Sequence, residues 1–93
     1  MRVVLTRPFL RAVKPLVRSN PHLQVQIDRV LRQLEEDPWH PSLSTHKLKG
    51  PLSGFWACTA SYDLRILFEF RTRPHTGERE IALVSCGSHD DVY

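Results

Sequence analysis

The sequence predicts an α+β fold in which two N-terminal helices pack on one face of a small, mostly antiparallel sheet. Three observations predict it. Apolar residues recur at helical spacing from Phe9 to Leu34, and from Thr45 the period changes to two. The chain has 93 residues, of which 41% are hydrophobic and 25% charged, enough for one domain with a small core. Two helices followed by consecutive strands place both helices on one sheet face and leave the opposite face partly open.

Residues 2 to 5, Arg-Val-Val-Leu, read as a short strand. Thr6 then offers a capping hydroxyl and Pro8 a proline for the first turn of a helix. In that helix Phe9, Val13, Leu16 and Val17 share one face, while Arg7, Arg11, Lys14 and Arg18 point elsewhere. Pro15 removes a donor and crowds the preceding turn, which predicts a kink or a short helix. Asn20-Pro21 supplies a second start, with Asn as cap and Pro at the first position. The stripe Leu23, Ile27, Val30, Leu31, Leu34 follows, and Asp37-Pro38 ends it, because a residue before proline is pushed out of the helical region.

Residues 38 to 44 contain two prolines and read as a loop. Strands are expected at 45 to 49, 54 to 62, 64 to 71 and 79 to 87, with a polar turn at Pro74 to Gly77, giving the order β-α-α-β-β-β-β. In the run from 64 to 71, Leu64, Ile66, Phe68 and Phe70 share the face that should meet the helices, and Arg65, Leu67 and Glu69 share the other.

Charge is unevenly spread around a net +3. Residues 1 to 34 hold seven basic side chains and one acid, and the rest of the chain is net acidic. A basic front third reads either as a solvated surface or as one for an anionic partner, RNA or an acidic protein. The longest purely apolar run, Ile81 to Val84, is too short to cross a bilayer, and the N-terminus lacks a signal-peptide core, so a cytoplasmic protein with no membrane partner is expected. Cys58 and Cys86 have no metal-ligand or disulfide-framework spacing and read as reduced core thiols. Neither a metal nor any other cofactor is expected.

Of the five histidines, His22, His40 and His75 fall in helix-start, loop and turn contexts and read as exposed bystanders. His46 opens a strand and His89 follows the last one, both at element edges where loops deliver function. Asp63 sits in the tight connection between two strands, an ordinary place for a short acidic side chain. Arg65 alternates with core residues yet faces the open side of the sheet, where a guanidinium fixed on a strand can grip a phosphate through two parallel N–H bonds.

Taken together, Thr45-His46-Lys47-Leu48-Lys49-Gly50, Gly54-Phe55-Trp56, Tyr62-Asp63-Leu64-Arg65-Ile66-Leu67-Phe68 and Gly87-Ser88-His89-Asp90-Asp91-Val92-Tyr93 resemble the RelE/ParE toxin superfamily. The YafQ-type mRNA interferases look the most similar branch, and the resemblance covers nearly the whole chain. It implies a RelE-like fold and a toxin that enters the ribosomal A site, cuts translated mRNA and is silenced by a cognate acidic antitoxin encoded beside it.

Position by position, His46 is similar to the histidine at the start of the second strand, Asp63 to the acidic residue of the next hairpin, His89 to the C-terminal histidine and Tyr93 to the terminal aromatic. One further histidine of the YafQ pattern has no match, since Ala60 and Ser61 occupy that stretch. The implied chemistry is metal-free, with a ribose 2′-hydroxyl attacking the adjacent phosphorus. His89 is then the candidate acid, His46 or Asp63 the base, Arg65 and Lys47 the phosphate clamp, and Tyr93 a stacking platform. The alternatives on the same fold are a ParE-like gyrase-inhibiting toxin, which needs no catalytic histidines, and an inactive homologue that only binds an antitoxin.

Overall fold

The computed structural model describes residues 1 to 88. Its elements are β1 (Arg2–Leu5), α1 (Arg7–Ser19), α2 (His22–Glu36), β2 (His46–Lys47), β3 (Trp56–Thr59), β4 (Arg65–Thr72) and β5 (Arg79–Gly87), with 3₁₀ turns at Pro41–Leu43 and Gly50–Leu52. The five strands form one sheet in the order β1-β5-β4-β3-β2. Strand β1 runs parallel to β5, and the other neighbours are antiparallel. Both helices lie on one face, as the switch in periodicity predicted.

Thr6 joins the first strand to the first helix through two bonds. Its hydroxyl accepts from the Phe9 amide at 3.4 Å, capping α1, and donates to the Leu83 carbonyl of β5 at 2.6 Å. Thr6→Ala loses the cap and the hydroxyl bond to the Leu83 carbonyl, which keeps the Thr6 amide at 3.2 Å as its donor, an expected cost of about 1 kcal/mol in denaturant unfolding. Thr6→Ser keeps the hydroxyl and should stay within about 0.5 kcal/mol of the parent.

The shortening that Pro15 could cause is not found, for α1 runs 13 residues with Pro15 inside it. Pro15 lies on the exposed side, where solvent can reach the carbonyl one turn back that has lost its donor. On the opposite side Phe9 is buried, and Ala12, Val13, Leu16 and Val17 pack on the core, which holds the helix together. Helix α2 starts as predicted within one residue. Pro21 takes helical angles, and the Asn20 side chain accepts from the His22 amide at 3.3 Å.

The core lies between the helices and one sheet face. Phe9, Leu34, Ile66, Phe68, Ile81 and Leu83 are all at most 1% exposed. Residues Leu64, Ile66, Phe68 and Phe70 of the β4 region face the helices, as expected from the alternation. At the end of the sheet beyond the helices, Trp39 stacks on Phe70 at 5.6 Å and meets Trp56 edge-on at 5.0 Å. The loop after α2 is therefore packed down by an aromatic cluster.

Strand β5 carries a bulge that the sequence did not announce. Leu67 pairs with Ser85 and Phe68 with Leu83, which leaves Val84 unpaired. The extra residue switches the parity of the strand, so Ile81 and Leu83 face the helices before it and Cys86 after it. Cys58 and Cys86 sit on either side of Ile66 in one row of that face. Burial pushes both thiols up to about 12, and for Cys58 the neighbouring Cys86 adds to the shift. Each remains a neutral, poorly nucleophilic SH at physiological pH.

Strands β2 and β3 are shorter than predicted, for a local reason at each end. Ser44 takes left-handed angles before β2, while Gly50, the first residue of the second 3₁₀ turn, and Gly54, two residues after that turn, take positive φ. These backbone conformations cannot continue a ladder, so β2 keeps only His46 and Lys47. No helix among the described residues is long and apolar enough to cross a membrane.

Candidate functional site

The sheet register decides which of the candidate residues can act together. Across the face away from the helices, His46 of β2 lies opposite Ala57 of β3, and Ala57 lies opposite Leu67 of β4. Two residues along, Thr59 lies opposite Arg65, which in turn lies opposite Gly87 of β5. His46 and Arg65 therefore share the uncovered face, with Cα atoms about 12 Å apart at ordinary strand spacings. Between them Ala57 and Leu67 are buried, at 0% and 7% exposed, while Thr59 is half-buried, so this face is covered over its middle and accessible toward His46 and, in part, Arg65.

His46 is exposed, and its orientation is set by its own loop. Nδ1 lies 2.9 Å from the Ser44 carbonyl, so it carries the proton and donates. In the neutral ring Nε2 is then the basic nitrogen. Ser44 aims that carbonyl from a left-handed conformation, φ 49° and ψ 41°, at the end of the Pro41–Leu43 turn. The Thr45 hydroxyl donates to the Pro38 carbonyl at 2.6 Å and ties down the same segment. Ser44 and Thr45 were not singled out from the sequence. A serine carries no signal for positive φ, and the Thr45 partner lies seven residues back in a loop.

Arg65 is partly committed to the β3–β4 connection. Its Nη1 donates to the Ser61 and Tyr62 carbonyls at 3.3 and 3.4 Å, which leaves Nε and Nη2 as an edge for a phosphate. Arg29 of α2 donates to the Ala60 carbonyl of the same turn at 3.4 Å. The connection is thus held by arginines from two directions, and Arg29 was another residue that sequence reasoning passed over.

Asp63 and Lys47 lie away from the uncovered face. Asp63 lines a cleft of about 220 Å³ with Leu16, Leu23, Ser61, Leu64 and Ser88, at the helix side of the sheet's end. Lys47 pairs with Trp56, and its ammonium sits 5.9 Å from that ring's centroid, on the opposite face from His46. His89 and Tyr93 lie outside the described residues. Gly87, the last residue of β5, pairs with Arg65, so the chain leaves the sheet beside the arginine. Among the described residues no three His, Cys, Asp or Glu side chains gather as a metal site would require.

No protein-family model matches the sequence, and no curated protein matches it either. Solved structures do match the fold over their whole length. A YoeB/ParE toxin from Agrobacterium tumefaciens has a TM-score of 0.75 at 18% identity, over 96% of this chain and 99% of its own. The chain has the RelE/ParE toxin fold. A metal-bound toxin from Helicobacter pylori has a TM-score of 0.74 at 26% identity, over 100% of this chain and 99% of its own. YafQ from E. coli reaches a TM-score of 0.77 at only 12% identity, over 100% and 99%. The toxin fold is common to all three, and these values do not single out the YafQ branch. In this toxin fold the face bearing His46 and Arg65 is the one that the chain's own helices leave uncovered.

Proposed function

We propose that this chain is the toxin of a type II toxin–antitoxin pair and a ribosome-dependent mRNA endoribonuclease of the YafQ type. The observation that carries the reading is the placement of His46 and Arg65 on the sheet face away from the helices, with the His46 Nδ1 bonded to the Ser44 carbonyl. His46 Nε2 takes the proton of a ribose 2′-hydroxyl, and the oxygen attacks the adjacent phosphorus. The Nε–Nη2 edge of Arg65 offsets the charge that builds on the phosphorane oxygens. His89 gives a proton to the departing 5′-oxygen, leaving a 2′,3′-cyclic phosphate on one fragment and a 5′-hydroxyl on the other.

The cleft position of Asp63, on the helix side, favours His46 over Asp63 as base. Tyr93 serves as a stacking platform for a base of the message, as aromatics do for single strands. Lys47, held over Trp56, would need to leave that ring to reach the same phosphate as Arg65. In this scheme the ribosomal A site supplies the alignment of the 2′-hydroxyl that the protein alone does not. No metal takes part in this scheme, and cleavage should persist in EDTA.

A cytoplasmic toxin of this kind needs a neutralising partner, and the basic front third fits an acidic antitoxin. Induced alone, the protein should arrest growth. Induced with the acidic protein encoded beside it, growth should recover and the two should co-purify. Harmless expression with no co-purifying partner would contradict the toxin reading, and inhibition of gyrase supercoiling without mRNA cuts would favour the ParE-like alternative.

A further inference from the structure

Strand β2 ends too early to cover the edge of its neighbour. The main-chain groups of the β3 segment alternate in direction. The Ala60 amide donates to the Leu64 carbonyl on the β4 side, and the Phe55 carbonyl accepts from the Leu48 amide on the β2 side. Even-numbered residues here therefore bond toward β4 and odd-numbered ones toward β2. Ala57 meets His46 on that side, but β2 holds only His46 and Lys47. Ser44, which would come opposite Thr59 if the ladder went on, turns away in left-handed angles. The N–H and C=O of Thr59 thus face an edge that no strand covers among the described residues.

A slot of about 200 Å³ occupies this edge. It is lined by Arg29, Val30 and Gln33 of α2, by Ser42 and Leu43 of the first 3₁₀ turn, and by Thr59. Val30 and Leu43, each 2% exposed, give it apolar walls. Its polar groups include both donors and acceptors. Thr59 brings one of each from the main chain, and the Gln33 amide brings both on a half-buried side chain that makes no hydrogen bond among the described residues. The Arg29 guanidinium is anchored through Nη2 on the Ala60 carbonyl.

We infer that this slot receives one base of the message and reads its edge, next to the point of cleavage. Thr59 pairs with Arg65 and lies two residues from Ala57, the partner of His46. At ordinary strand spacings its Cα is about 5 Å from that of Arg65 and about 8 Å from that of His46, so a nucleotide whose phosphate meets Arg65 can place its base at the slot. Donors and acceptors side by side match a base edge, which presents both, whereas a phosphate calls for donors alone. A peptide adding itself as a strand needs a longer edge, and β3 runs only two residues past Ala57. The slot is also too small for a partner helix, which is about 10–12 Å across. The inference rests on the nuclease reading in taking the message as the ligand.

Binding of short 2′-O-methyl RNA homopolymers of A, C, G and U tests this without cleavage, because they carry no free 2′-hydroxyl. The parent should bind the preferred homopolymer more tightly than the least preferred by on the order of tenfold. In amide NMR spectra the preferred RNA should shift the Thr59 N–H and the Gln33 side-chain amide. Gln33→Met keeps the length of the side chain without its polar groups and should level the four affinities. Gln33→Glu keeps an acceptor and loses the donor, and should change the order of preference. On ribosomes both variants should cut with an altered codon preference. The NMR measurement needs only the parent, so it decides the matter even if a variant folds poorly.

Equal affinity for all four RNAs, no binding to any of them, or shifts that spare Thr59 and Gln33 would overturn the inference. So would a base preference that both Gln33 variants keep. Gln33 variants that keep the parent's preference but lose the acidic partner would make the slot a protein contact and overturn it as well. A parent that discriminates among the RNAs yet leaves translated mRNA intact would sink the nuclease reading and leave the slot standing. Cleavage whose codon preference ignores Gln33 would sink the slot alone.

Discussion

His89→Ala is expected to lose on the order of a hundred- to ten-thousand-fold in cleavage of translated mRNA while keeping its melting temperature and its antitoxin. The departing 5′-oxygen is a poor leaving group unless it is protonated as the bond breaks, so removal of the acid falls on the step with the highest barrier. His46→Ala should lose less, because solvent can accept the 2′-hydroxyl proton in part while Arg65 still holds the phosphate. His46 is an exposed side chain on a two-residue strand, and its truncation should alter stability by under about 0.5 kcal/mol. His22→Ala and His75→Ala, both at exposed positions, should cleave like the parent. A His89→Ala protein that cuts at an undiminished rate would remove the proposed acid.

The largest stability effect should come from Phe68→Ala. Phe68 is 0% exposed on the helix-facing side of the central strand β4, edge-on to Phe70 at 5.6 Å. Truncating a buried Phe costs about 3–5 kcal/mol in lost transfer energy and cavity. A chain of this length has roughly 5–14 kcal/mol of total stability, so much of it would disappear. The melting temperature should fall by on the order of 15 °C or more, measured by circular dichroism. Val25→Ala, at a site 62% exposed on α2, should stay within about 0.5 kcal/mol and serves as the control.

The layered fold could be read from the sequence because its signals are periodic and local. The stripe on α2, the alternation in β4 and the Asn20-Pro21 start each need only a few neighbouring residues, and β5 was placed at residues 79 to 87, the bounds it has. Pro15 did not shorten α1, because propensity is local while the burial of Phe9 and its neighbours is tertiary. The bulge at Val84 could not be seen, since it depends on how β5 pairs with β4 and leaves no mark on a run of apolar residues.

The site was legible by residue type and less so by direction. His46 and Arg65 were named from strand context, and the register puts them on one face. Asp63 and Lys47 were named with them, but a non-repetitive turn sends Asp63 toward the helices, and adjacent strand positions must point to opposite faces, which turns Lys47 from His46. The Ser44 carbonyl that bonds to His46 Nδ1 depends on a left-handed backbone that no residue type required.

Primer-extension mapping of 5′ ends on a defined message, with purified protein and with or without translating ribosomes, tests the central claim most directly. The account predicts 5′-hydroxyl ends confined to the codon in the A site, present with ribosomes, largely absent on naked RNA and unaffected by EDTA. Efficient cutting of naked RNA at the same sites, or an intact message on translating ribosomes, would contradict it.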